Sequence, residues 1–151
     1  MAASPTLAIV LVDDEPAVLA ILHCLLRDLT AGYDLISVTD GAAALAQFAH
    51  RSIALVITDD HMPGMDGLAL ITAVKVVAPT CPVVLITAAN AHIERGAWAA
   101  GADFYLPMPF LFTQFAAAVQ TALTHEAAVG RAARDGARRL LISEAQAVVA
   151  R

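Results

Sequence analysis

Four residues at the ends of apolar runs carry side chains that could do chemistry together: Asp13, Asp14, Asp59 and Thr87. The two adjacent acids follow the run at 7–12, Asp59 follows 53–58, and Thr87 closes 83–87. Crowded carboxylates repel one another unless one is protonated or a cation is bound. Hard oxygen donors of this kind suit Mg²⁺, which takes one or two carboxylates and keeps several waters. Such a metal can bridge to a phosphoryl oxygen and offset developing charge. A carboxylate is also a competent nucleophile toward phosphorus, giving an aspartyl phosphate. A hydroxyl at a neighbouring strand end could donate to a phosphoryl oxygen. The residue types alone therefore suggest metal-assisted phosphoryl transfer onto a carboxylate.

The elements that must position these residues are legible in the hydropathy pattern. The runs at 7–12, 34–38, 53–58, 83–87 and 102–106 are short and β-rich, and most read as strands buried on both faces. Between them lie helical patterns. The first covers 16–30, with Val18, Leu22, Leu25 and Leu29 at helical spacing and Gly32 as its stop. Others cover 41–50, with Ala44, Leu45 and Phe48 inward, then 66–78 and 91–100. A fifth helix starts near Thr113, whose hydroxyl suits an N-cap. Strands alternating with helices imply βαβ crossovers and a parallel sheet covered on both faces. In such sheets ligands bind beyond the carboxyl ends of the strands, where the strand order reverses. That is where the acids and Thr87 fall.

Bulk properties narrow the function classes. The chain has 151 residues, enough for one domain plus an appendage. Its 59% of hydrophobic residues includes much alanine, so the core is leaner than the figure suggests. No apolar run approaches the roughly 20 residues that span a bilayer. Met1–Pro5 has no basic region of the kind that opens a signal peptide. Cys24 and Cys81 lack metal-ligand spacing and read as free thiols of a cytoplasmic protein. Residues 1–112 hold four basic residues against eleven acids, a net of −7, whereas 113–151 hold five arginines against three acids, a net of +2. An acidic body argues against nucleic-acid binding and suits a cation site.

The ordered motifs carry a family resemblance. Leu-Val-Asp-Asp-Glu-Pro stands at 11–16, Asp-Gly-Ala-Ala-Ala-Leu at 40–45 and Asp-His-Met-Pro-Gly-Met-Asp-Gly at 60–67, preceded by Asp59. Ile-Thr-Ala follows at 86–88 and Gly-Ala-Asp-Phe-Tyr-Leu at 101–106. Over residues 6–122 the chain resembles the receiver domain of bacterial two-component response regulators, of the chemotaxis-regulator-like kind. The resemblance implies a flavodoxin-like, doubly wound five-stranded parallel sheet in the order 2-1-3-4-5. It implies that Asp59, three residues before Met62-Pro63, is the phosphoacceptor. It makes Asp13, Asp14 and Asp59 ligands of Mg²⁺ together with the backbone carbonyl of His61. Thr87 matches the switch hydroxyl, and Tyr105 the aromatic that rotates between exposed and buried states. The implied partners are a histidine kinase or histidine phosphotransfer protein, and a downstream target met by the fourth helix, fifth strand and fifth helix. A homodimer is compatible with it, and neither nucleic acid nor membrane is implied. The protein would not be an enzyme beyond catalysing its own phosphorylation and dephosphorylation.

One position departs from the family pattern. Met108 stands where the family has a lysine that contacts the acyl phosphate, before the family's Pro-Phe at Pro109-Phe110. Hydrogen bonds to charged groups contribute about 1.5–3 kcal/mol. Losing that coupling weakens a population shift by roughly one to two orders of magnitude. The expectation is an Asp59 that takes phosphate but drives a weak or altered switch. The alternative is a degenerate receiver acting as a phosphorylation-independent interaction module. In the family the bond before Pro109 is commonly cis.

Several residues have plainer readings. Asp13 and Asp14 taken alone would be helix-starting acids. Asp60 reads as a solvated loop acid, Asp66 as a helix cap and His61 as an exposed loop histidine. Trp98 reads as a packing residue and Arg95 as a solvated one. The receiver unit is expected over 6–128, with a C-terminal amphipathic helical extension at 129–151. There Arg131, Arg134 and Arg138 share one helical face, and Ala133, Ala137, Leu140, Leu141 and Val148 another.

Overall fold

The computed structural model describes residues 5–124. Its five strands are β1 (Ala8–Val12), β2 (Asp34–Val38), β3 (Ile53–Asp59), β4 (Val83–Ala88) and β5 (Phe104–Met108). Its five helices are α1 (Pro16–Arg27), α2 (Gly41–Gln47), α3 (Gly67–Val77), α4 (Ala91–Ala100) and α5 (Phe112–Thr124). The strands form one parallel sheet in the order β2-β1-β3-β4-β5, the doubly wound arrangement the motifs imply. The chain leaves β1 toward β2 and then returns to place β3 on the other side, so the order reverses between β1 and β3.

Alternation along β1 shows how the two faces are filled. Ala8, Val10 and Val12 enter one core with Leu70, Ile71 and Val74 of α3 and Ala97 of α4. Ile9 and Leu11 enter the opposite core with Leu19, Leu22 and Leu26 of α1 and Phe115, Val119 and Ala122 of α5. Burial on both faces explains why the strand is apolar at every position.

Helix starts are set by local chemistry. Asp40 accepts from the Ala43 N–H at 2.7 Å, Asp66 from Ala69 at 2.8 Å, and Asn90 from His92 and Ile93 at 2.9 and 3.2 Å. Each satisfies backbone donors that the first turn leaves unpaired. Asp66 thus caps α3 as expected. Thr113 does not cap α5, because the helix begins one residue earlier. Instead the Gln114 side chain accepts from the Leu111 N–H at 2.8 Å, the returning half of a capping box.

Other expectations shift by small amounts. Helix α1 ends at Arg27 rather than 30, and the Thr30 hydroxyl folds back onto the Leu26 carbonyl at 2.8 Å. Its buried side chains are Leu19, Leu22 and Leu26, while Val18 and Leu25 sit at the margin. The apolar arc is wide enough to admit either face, and α1's seat on the sheet selects between them. The last strand is Phe104–Met108 rather than 102–106, which puts Met108 inside the sheet edge, paired with Ala88. The Met108–Pro109 peptide is cis, as the resemblance implied. The extension at 129–151 lies outside the described residues. Among the described residues no helix is long and apolar enough to cross a membrane.

Candidate phosphoacceptor site

Register brings the acids together. Val12 pairs with Thr58, so the next residues of the adjacent strands, Asp13 and Asp59, emerge side by side. Asp59 pairs with Ile86, so Thr87 lies one residue further along β4. One carboxylate oxygen from each of Asp13, Asp14 and Asp59 lies within 4.8 Å of the other two. Asp13 is buried, Asp59 half-buried and Asp14 exposed.

This crowding is felt electrostatically. Burial pushes the Asp13 carboxyl up to about 6, and the nearby charges of Asp59 and Asp14 push the same way. The Glu15 N–H, donating to Asp13 Oδ1 at 2.8 Å, opposes them. Asp59 is also raised, chiefly by burial and secondarily by Asp14 and Asp60. A backbone hydrogen bond from Asp60 and the His61 imidazole oppose that rise. Three oxygen donors, two of them destabilised as anions, fit a hard divalent cation.

A buried, unpartnered hydroxyl sits on the next strand. Thr87 is 1% exposed, and its Oγ1 has no hydrogen-bond partner in the structure. A buried polar group left unpaired costs about 1–3 kcal/mol.

Asp60 corrects an expectation. It is not a solvated loop acid but is 7% exposed, and its Oδ1 is also unpartnered. The first turn of α3 packs against its backbone. Gly67 N donates to the Asp60 carbonyl at 2.9 Å, and a Cβ on Gly67 would stand 2.4 Å from the Asp59 carbonyl oxygen and 2.7 Å from the Asp60 Cα. Only glycine lets α3 close on the acceptor strand. The Asp-Gly at 66–67 is visible in sequence, but nothing local says which backbone it meets. His61 is exposed as expected, with Nδ1 4.0 Å from Asp60 Oδ2.

The switch aromatic of the resemblance, Tyr105, is 2% exposed. Its hydroxyl accepts from the Asn90 N–H at 3.1 Å, and its ring meets Trp98 edge-on at a centroid distance of 6.4 Å. Trp98 is therefore a packing residue. Asn90 was not singled out by sequence, although Asn before a helical pattern is an N-cap signal. Met108 is 43% exposed. The only lysine, Lys75, belongs to the other end of the sheet, where Nζ donates to Asp103 Oδ2 at 2.7 Å and to the Cys81 carbonyl at 2.6 Å.

Known proteins share this fold. Residues 9–120 match the family model described as response regulator receiver domain. The chain is 34% identical over 115 residues to the DNA-binding transcriptional regulator NtrC of Escherichia coli K12, covering 76% of this chain and 24% of that protein. It is 33% identical over 116 residues to the transcriptional regulatory protein PrrA of Mycobacterium tuberculosis, covering 76% and 49%. The chain thus spans a quarter to a half of these relatives' length. Among solved structures, the signal receiver domain of an HD domain-containing protein from Pseudomonas fluorescens Pf-5 superposes with a TM-score of 0.74 at 30% identity, covering 80% of this chain and 96% of that one. The chemotaxis protein CheY4 of Vibrio cholerae gives 0.70 at 26% identity, covering 78% and 99%.

Proposed function

The chain belongs to the response regulator receiver domain family, and on that premise we propose that Asp59 accepts a phosphoryl group from a histidine kinase or histidine phosphotransfer protein. The observation that carries the reading is the convergence of Asp13, Asp14 and Asp59 at the point of strand reversal. A carboxylate oxygen of Asp59 attacks phosphorus and forms the new O–P bond. The P–N bond to the donor imidazole breaks, and its electron pair leaves with the imidazole. The protein modifies itself and turns over no separate substrate.

Asp13, Asp14 and Asp59 would hold Mg²⁺, with the His61 carbonyl as a further ligand. Bound there, the ion supplies charge neutralisation for the transferring phosphoryl oxygens. The Thr87 hydroxyl donates to one of those oxygens and gains the partner it lacks. Movement of Thr87 then reaches Tyr105 through the β4–β5 pair, since Leu85 and Thr87 lie beside Tyr105 and Pro107. With Met108 in the usual lysine position, one charged contact to the phosphoryl group is absent. Phosphorylation is retained, and its coupling to the face made by α4, β5 and α5 is weakened.

The test is to incubate the protein with a small phosphodonor and Mg²⁺ and to weigh it. Addition of one phosphoryl mass, lost in Asp59→Asn, is expected. No added mass, under conditions that label other receivers, overturns the reading. Emission from Trp98, the only tryptophan and an edge-on neighbour of Tyr105, reports the switch in the same sample.

A further inference from the structure

The outermost strands of the sheet, β2 and β5, are covered unequally. On β5, Phe104, Tyr105 and Leu106 are buried. On β2 no residue is buried. Leu35, Ile36 and Val38 are half-buried, and Asp34 and Ser37 are exposed. Apolar neighbours are also only partly covered. Val18, Leu25 and Tyr33 join Leu35 at the margin of one core, and Leu45 and Phe48 join Ile36 and Val38 at the margin of the other.

Hydrogen bonding fixes which backbone groups of β2 face outward. Asp34 N donates to the Leu7 carbonyl at 3.0 Å, and the Val38 carbonyl accepts from Asp13 N at 3.3 Å. Residues 34, 36 and 38 thus turn their polar groups toward β1, and alternation turns those of Leu35 and Ser37 away from it. Among the described residues no strand pairs with that side. An open row of this kind is a template for a further strand, and proteins guard it with proline, lysine or a bulge. From Tyr33 to Thr39 the chain has no proline or lysine, and its pairing with β1 runs without a register shift. The one charge in the strand, Asp34, is paired with Arg51.

We infer that β2 is a self-association surface, and that its occupant is β2 of a second copy, antiparallel across a two-fold axis at Ile36. In that register the outward groups meet. Leu35 exchanges both backbone hydrogen bonds with Ser37 of the second copy, and Ser37 does so with its Leu35. Ile36 faces its own equivalent in a non-hydrogen-bonded pair, and Asp34 faces Val38 rather than another acid. An axis at Ser37 would set Asp34 against Asp40, and like charges directly opposite are destabilising. An axis at Leu35 would set Val38 against Gly32, whose φ of 92° is not extended. Self-complementarity of this kind is what a two-fold interface requires. Copies of an acidic body repel one another, but along β2 the side chains are uncharged apart from the neutralised Asp34. Pairing would also cover the half-buried margins of both cores.

The test follows amide exchange and sedimentation of the full chain from micromolar to millimolar concentration. In dilute solution the Leu35 and Ser37 amides are expected to exchange fast while those of Ile36 and Val38 are protected. At millimolar concentration all four should be protected and the sedimenting mass should approach that of a dimer. Ser37→Lys alters an exposed side chain, and Ser37→Pro removes an N–H that β1 does not use; each is expected to weaken association by about ten-fold or more. In a Cys24→Ser background, Ile36→Cys is expected to form an interchain disulfide on mild oxidation, because the paired Cα atoms would lie about 4.5 Å apart. Ser37→Cys, off the axis and beyond the bridging limit of about 7 Å, is expected to form none. A chain that stays monomeric at millimolar concentration overturns the proposal. Association that both Ser37 variants leave unchanged assigns it to another surface and overturns it. Equal cross-linking at 36 and 37 overturns the stated register. Protection of Leu35 and Ser37 that does not depend on concentration means that another part of the chain covers β2, and overturns the second copy as occupant. None of these readouts uses phosphorylation, so they decide the surface independently of Asp59.

Discussion

The two edges of this sheet treat charge in opposite ways. Where the strands begin, cations meet anions. Lys75 pairs with Asp103 in a nearly buried contact, and Asp103 Oδ2 also accepts the Val83 N–H at 2.9 Å. Arg51 pairs with Asp34 at the surface. Where the strands end, Asp13 and Asp59 are held close together, both raised chiefly by burial and further by neighbouring acids, and Thr87 is buried without a partner. The first edge is arranged for stability. The second keeps polar groups unsatisfied in the resting protein, which is the expected signature of a site whose partners arrive during function.

Breaking the matched edge should have the largest effect on stability. Asp103→Ala removes the carboxylate from a nearly buried ammonium and the acceptor from the Val83 N–H at once. A loss of about 3–5 kcal/mol is expected in urea unfolding. A loss under 1 kcal/mol would show that the Lys75 ammonium finds water easily, and the contrast between edges would shrink. Gly67→Ala tests the unmatched edge's scaffold. Its Cβ must displace backbone at Asp59 and Asp60, so about 2–3 kcal/mol and slower phosphoryl uptake are expected together.

Relieving the unmatched edge should go the other way. Asp59→Asn removes a half-buried carboxylate from a crowded set, and a gain of about 1 kcal/mol without Mg²⁺ is expected. A destabilised variant would mean that the acids do not repel in the resting state. The pH dependence follows from Asp13. Its folded value, about 6, lies above its ordinary 3.8, so the folded state binds the proton more tightly. Its contribution is present below about pH 4 and is lost as pH rises through 6. Without Mg²⁺ the wild type should therefore lose more stability than Asp13→Asn between pH 4 and 7. Added Mg²⁺ should raise the melting temperature more at pH 7.5 than at pH 5, because its ligands must be deprotonated. Equal Mg²⁺ effects at both values would argue against Asp13 as a ligand. The smallest effect is expected from Arg51→Gln, which removes an exposed pair worth about 0–1 kcal/mol.

The sequence by itself determined a good deal. Strand β2 and helix α4 occur at the bounds their patterns predict, because apolar runs, caps and glycine stops act within a few residues. The acids at strand ends were legible for the same reason, since a parallel sheet gathers the residues that follow its strands. Tertiary structure decided the rest. The face α1 buries moved by one position because its apolar arc is wider than its contact. Asp60 reads as a polar loop residue locally, yet in the fold it is buried, with the start of α3 packed against its backbone. Lys75 could have served the acceptor as far as composition says, but Asp103, 28 residues away, holds it at the opposite edge. The unpartnered hydroxyl of Thr87 is also invisible in a string of letters. Local patterns report what each segment prefers, whereas burial and pairing depend on neighbours that only the folded chain brings together.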